Sequence, residues 1–134
     1  MNYIDGLIRI QNASVRNQKN TELIYSKIMV NILYKLKQEK RIEGFKILTN
    51  SVNNFQTIKV YLSYVYENNA IKFKKFNKVK FISKPGRRMY IKYKDISKTF
   101  GGYGFSLIST SKGILTGKEG KFQKIGGELL AEIY

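Results

Sequence analysis

The chain has 134 residues, with 25 Lys plus Arg against 9 Asp plus Glu, a formal charge of +16 on 15.6 kDa. Neither Cys nor His occurs, which excludes disulfides, zinc-finger ligand sets, thiol nucleophiles and every Ser-His or Cys-His catalytic pair. The hydrophobic fraction of 43% is enough to bury a core, so one domain or two small ones packed together are expected.

Taken in chain order, Ile4, Leu7 and Ile8 stand at helical spacing. Asn12 breaks that pattern ahead of a polar run at 17–20, which predicts a first helix and a loop. Asp5 and this spacing favour a structural helix over a transit peptide. From Ser26 to Lys40 the apolar positions Ile28, Ile32, Leu33 and Leu36 recur in steps of three and four, behind Ser26 as N-cap. Ile42 to Thr49 reads as a strand. Across an Asn-rich turn at 50–54, Gln56 to Tyr66 alternates Ile58, Val60, Leu62 and Tyr64 with polar or amphipathic neighbours, so the pair predicts a hairpin with one buried face.

The character of the chain changes at Glu67-Asn68-Asn69. Residues 1–67 carry 10 basic and 5 acidic side chains, residues 68–134 carry 15 and 4, and 68–94 holds ten Lys or Arg and no acid. The predicted domains are therefore 1–67 and 68–134. Lysines 72, 74, 75, 78 and 80 interleave with Ile71, Phe73, Phe76, Val79 and Phe81, as in strands with one wet basic face. Ser83-Lys84-Pro85-Gly86 is a turn signal, and a short helix is expected within 91–100. Residues 101–116 read as strand, turn, strand, 118–124 as one or two helical turns, and Gly126-Gly127 leads into a closing strand, Glu128 to Ile133. No segment approaches the ~20 apolar residues that span a bilayer, and the first residues lack a secretory apolar core, so a soluble protein with no membrane partner is expected.

Catalytic and cofactor motifs fail on inspection. Gly102-x-Gly104-x-x-Leu107 lacks the third glycine of a dinucleotide fingerprint; Gly113 to Glu119 is one residue short of a phosphate loop and has Glu where Ser or Thr would meet magnesium. Nothing in the spacing of the nine acids pairs two carboxylates, and Ser111 beside Lys112 would point to opposite strand faces. No enzyme, cofactor, metal or small-molecule substrate is predicted. What survives is nucleic-acid binding, since basic side chains neutralise phosphates while Tyr and Phe stack on unpaired bases. Ser109-Thr110-Ser111 beside Gly113 adds short hydroxyls on a turn, able to read base edges or 2′-hydroxyls.

Several segments together resemble the bacterial-type protein eight of the small ribosomal subunit. They are Ile82-Ser83-Lys84-Pro85-Gly86-Arg87-Arg88-Met89-Tyr90, Gly101-Gly102-Tyr103-Gly104, Ser109-Thr110-Ser111-Lys112-Gly113-Ile114-Leu115-Thr116 and the closing Gly126-Gly127-Glu128-Leu129-Leu130-Ala131-Glu132-Ile133-Tyr134. A looser likeness runs through Asp5 to Ala13 and Ser26-Lys27-Ile28, whereas 67–81 has no family motif.

The resemblance implies an α+β protein. Its N-terminal α/β domain has two helices on a small three-stranded sheet, and its C-terminal domain is mostly β with one or two short helices. It implies a structural role in the small subunit, binding a stem with a distorted internal loop in the central domain of its rRNA and touching neighbouring ribosomal proteins. The alternative is a free RNA-binding repressor of its own message. By the same resemblance, Ser109, Thr110, Ser111 and Gly113 enter the irregular RNA core, with Tyr90, Glu128 and Lys27 as further contacts; Lys84, Arg87, Arg88 and Lys112 complete the candidate interface. Met29 stands where the family often has a second lysine, and Gly117 to Gly120 replaces an Asp-containing helix start.

Lys 20, Ile 17, Asn 11, Tyr 10 and Phe 8, all with AT-rich codons, make up 66 of the 134 residues. A family first helix starting near residue 4 leaves no room for a presequence. Together these predict an organelle-encoded protein, in a mitochondrion in preference to a plastid or apicoplast, with an AT-rich bacterium as the alternative.

Overall fold

The computed structural model describes residues 3–97 and 102–134. Contacts divide the chain into two compact units, Met1–Asn77 and Lys78–Tyr134, and the elements form an α+β fold.

In the first unit, α1 (Tyr3–Val15) buries Tyr3, Gly6, Leu7, Ile10, Ala13 and Ser14, a helical stripe rotated from the expected one; Ile8 is 41% exposed. Asn12 does not end the helix, because it lies on the wet face where a polar side chain costs little. The segment expected to be loop contains β1 (Asn20–Ile24), whose one buried residue, Leu23, stands opposite Ile58. Helix α2 (Lys27–Gln38) starts at Ser26, whose Oγ accepts from Met29 N–H at 3.2 Å, and buries Met29, Ile32, Leu33 and Leu36. A methyl on Gly6 would come within 2.6 Å of the Met29 sulfur, so position 29 is filled by the core and offers no phosphate contact.

Strands β2 (Ile42–Thr49) and β3 (Gln56–Leu62) form the expected hairpin. β3 is central in the order β1-β3-β2, with Ile58, Val60 and Leu62 buried in strict alternation. The expected strand to Tyr66 breaks at Ser63. A separate ribbon, β4 (Tyr64–Glu67) with β5 (Ala70–Lys74), follows.

The contact boundary falls after Asn77, not at the predicted 67/68. Phe76 is 1% exposed and its carbonyl accepts the buried Ser14 hydroxyl, while Lys74 Nζ donates to the Val15 carbonyl at 3.2 Å. The composition shift at 67 marks where lysines begin to cover the surface, whereas core membership continues for ten residues.

The second unit is built around β10 (Gly127–Ile133). On one side β10 pairs with β8 (Phe105–Thr110), which pairs with β9 (Gly113–Thr116); on the other it pairs with β6 (Val79–Phe81) and β7 (Tyr90–Ile91). Leu107, Ile108, Leu130, Ala131 and Ile133 are at most 2% exposed and form the core. The short helix expected in 91–100 is a 3₁₀ turn, Tyr93–Asp95; residues 98–101, with Gly101 of the glycine motif, lie outside the described residues.

Helix α3 (Gly117–Gln123) keeps its cap despite the unusual start. Thr116 Oγ1 accepts from Glu119 N–H at 3.2 Å, and Glu119 Oε1 accepts from Thr116 N–H at 3.0 Å, a reciprocal capping box.

Candidate nucleic-acid interface

Residues 84–87 form a tight turn in which Lys84 N–H donates to the Arg87 carbonyl at 3.0 Å and Arg87 N–H donates to the Lys84 carbonyl at 2.9 Å. Pro85 presets the first central position and Gly86, at φ +83°, supplies the left-handed second one, the signature of a type II turn. Lys84, Arg87 and Arg88 are all exposed on it.

Ser83 holds this loop to the sheet. It is 1% exposed, and its Oγ accepts from Met89 N–H at 2.9 Å and donates to the Met89 carbonyl at 3.3 Å. Ser83→Ala is expected to cost ~1–2 kcal/mol, roughly 4–16 °C in melting temperature for a unit of this size. An unchanged melting curve would show the clamp to be idle.

The loop delivers Tyr90 to β7, where it is 74% exposed. Across the sheet Glu128 of β10 stands opposite Tyr90 on one side and opposite Ser109 of β8 on the other. Directly paired residues share a face, so Tyr90, Glu128 and Ser109 form a row across three strands, ~10 Å from end to end. Arg88 leans onto its centre, with Nη1 3.2 Å from Glu128 Oε2. Because Arg88 is 59% exposed, this pair fixes orientation more than it stabilises.

The row requires the glycine pair. A side-chain methyl on Gly126 would collide with the Ile91 carbonyl oxygen, and one on Gly127 with the Ser109 carbonyl oxygen, so neighbouring backbones approach where only hydrogen fits. An open depression of about 640 Å³ lies beside the row, lined by Tyr90, Ile91, Lys92, Tyr93, Lys94, Gly126 and Gly127.

Beyond Ser109 the chain turns through Ser111 and Lys112, between Thr110 and its strand partner Gly113. Thr110 Oγ1 donates to the Gly113 carbonyl at 2.8 Å and accepts from Lys112 N–H at 3.1 Å, so this hydroxyl builds the turn. Gly113 sits at φ +99°, a conformation any side chain would strain. Ser111 and Lys112 are exposed at the tip, and the Ser109 and Ser111 hydroxyls make no hydrogen bond among the described residues.

Ten of the eleven candidate residues therefore belong to the second unit; the pairings of β10 join Tyr90, Glu128 and Ser109, and an ion pair to Glu128 ties Arg88 to them. Lys84 and Arg87 flank the loop on the β7 side, and the hydroxyl turn extends from the β8 side. Lys27 belongs to the first unit, exposed at the start of α2. In the sequence Ser83 stands out only within a turn signal and Gly126-Gly127 only as the lead into a strand. Their parts in the site depend on which backbone lies across from them.

An α+β chain of this charge, presenting unbonded hydroxyls, an exposed tyrosine and a lysine- and arginine-bearing loop on one sheet, has the make-up of a nucleic-acid-binding protein. The family model described as ribosomal protein S8 matches residues 3–134, and the chain belongs to that family. Similar proteins include the small ribosomal subunit protein uS8 of Syntrophus aciditrophicus, 38% identical over 97% of this chain and 94% of that one, and that of Nautilia profundicola, 39% identical over 97% and 95%. That of Borrelia hermsii is 38% identical over 97% and 94%. The family is structural and non-catalytic, so this chain is a ribosomal component and not an enzyme.

Proposed function

We propose that the chain is a structural constituent of the small ribosomal subunit, binding a stem with a distorted internal loop in the central domain of its rRNA and supporting assembly there beside neighbouring ribosomal proteins. The observation that carries this reading is the row Tyr90–Glu128–Ser109, continued by the exposed Ser111 at the tip of a glycine-closed turn. Hydroxyls and an aromatic ring suit unpaired bases and 2′-hydroxyls, which sequence-specific RNA readers meet in loops and not in regular A-form helices. Lys84, Arg87 and Lys112, exposed on either side, suit the flanking phosphates. Glu128 serves this arrangement by holding Arg88 and accepting hydrogen bonds from base amino groups. Lys27 sits at the positive end of the α2 dipole, an unfavourable place for a cation that a bound phosphate relieves.

The compartment we infer is an organelle, a mitochondrion before a plastid or apicoplast. Its support is compositional: five residue types with AT-rich codons supply 66 of 134 positions.

Gradient sedimentation of a whole-cell lysate, in parallel with a lysate of isolated organelles, tests the reading. Co-migration with the small subunit is the expected result. A dominant slowly sedimenting pool would favour the free repressor of its own message, and co-migration with cytosolic subunits alone would refute the compartment.

A further inference from the structure

The lysine-rich part of the first unit plays no role in the interface above, yet it forms a defined element. The ribbon β4–β5 turns through Asn68 and Asn69, at φ 54° and 64°, the two left-handed residues of a type I′ hairpin turn. One of its faces is anchored. The Tyr64 hydroxyl donates to the Gln18 carbonyl, and Lys74, opposite Tyr64, donates to the Val15 carbonyl at 3.2 Å. Burial, with a smaller contribution from Tyr66, raises the Tyr64 pKa.

On the other face Phe73 stands opposite Val65, 51% exposed, with Lys75 Nζ 5.8 Å from its ring centroid. Tyr66 is 55% exposed beyond Tyr64. Residues 70–77 carry three lysines and no acid; the nearest acid in the sequence, Glu67, pairs with Lys72 at 3.0 Å.

We infer that this ribbon is a second RNA contact, in which an unpaired base stacks on Phe73 while Lys75 meets an adjacent phosphate. The inference rests on the reading of the chain as an RNA binder. An exposed ring beside an ammonium is a weak pair in water, and a nucleotide satisfies both halves at once. An acidic peptide would use the lysines and leave the ring wet. A ribbon anchored through one face also holds its free face in a fixed orientation, which lowers the ordering cost of binding.

The test uses the full chain and a fluorescein-labelled oligouridylate of about 12 nucleotides, followed by anisotropy. Phe73→Leu keeps the apolar bulk and is expected to weaken binding about fivefold or more, whereas Phe73→Trp restores it, because stacking needs a ring. Lys75→Gln is expected to lower the salt slope by ~0.7, one single-strand phosphate. Val52→Ala, in the exposed turn between β2 and β3, is expected to leave oligouridylate binding unchanged. Wild-type binding by Phe73→Leu would overturn the inference, as would equal displacement of the oligonucleotide by polyglutamate of matched charge. Specific binding of the rRNA stem together with an indifferent Phe73→Leu would remove the ribbon and leave the ribosomal reading intact. Failure to bind the stem, with the Phe73 dependence present, would do the reverse.

Discussion

Gly127→Ala is expected to be the most damaging single substitution in the interface unit, lowering stability by ~3 kcal/mol or more and the melting temperature by upwards of ~12 °C. The added methyl meets the Ser109 carbonyl oxygen and then, at 3.2 Å, Thr110 Cα, all backbone of the neighbouring strand. A flexible side chain could swing aside, but a paired strand cannot without breaking the β8–β10 ladder at the Glu128–Ser109 step. Stability and RNA binding should therefore fall together. The control is Gly44→Ala in β2, where nothing lies within 4 Å of the added methyl and a near-neutral change is expected. Thermal denaturation of both variants decides the matter. Equal melting temperatures would mean that β8 and β10 are farther apart at this step than described.

The second large effect separates two kinds of contact. Ser111→Ala is expected to weaken specific stem binding by ~1–3 kcal/mol, roughly 5- to 150-fold, without changing the dependence of affinity on salt, because an unpaired hydroxyl at an RNA interface carries no charge. Lys84→Ala is expected to act the other way, lowering the salt slope by about one phosphate while leaving preference for the cognate stem in place. Lys84 is a cleaner probe than Arg88, whose removal would also release Glu128. Titrations at several salt concentrations measure both quantities, and similar changes in both for the two variants would refute the division of labour.

Where a segment's own pattern decided its structure, the sequence was readable. The period-2 run Ile58, Val60, Leu62 and, of the expected helical stripe, Ile32, Leu33 and Leu36 lie where expected, because each pattern states which face is buried; Ile28 is only half-buried, and Met29 fills the core at that end. Strand β1 was not readable. Asn20-Thr21-Glu22-Leu23-Ile24 buries one side chain, and it is a strand because β3 offers it an open edge. The domain boundary was misplaced for a related reason: charge reports the wet surface, and the buried Phe76 sits among lysines.

Within the site, the hydroxyl cluster was visible as a group, but its internal roles were not. Thr110 is consumed by the turn and Ser111 is left at the tip, a difference set by hydrogen-bond geometry and not by residue type. The row of Tyr90, Glu128 and Ser109 joins positions 38 and 19 residues apart in sequence through strand register, which no local spacing encodes.

The most direct test of the account is a binding titration of the purified chain against the central-domain stem of its own small-subunit rRNA, at moderate salt, with excess tRNA as competitor. Saturable binding that survives the tRNA, and is lost when the internal loop is replaced by regular base pairs, is the expected result. Binding that tRNA removes completely would mean that the +16 charge alone holds the RNA, and would contradict recognition by the Tyr90–Glu128–Ser109 row and the Ser111 turn.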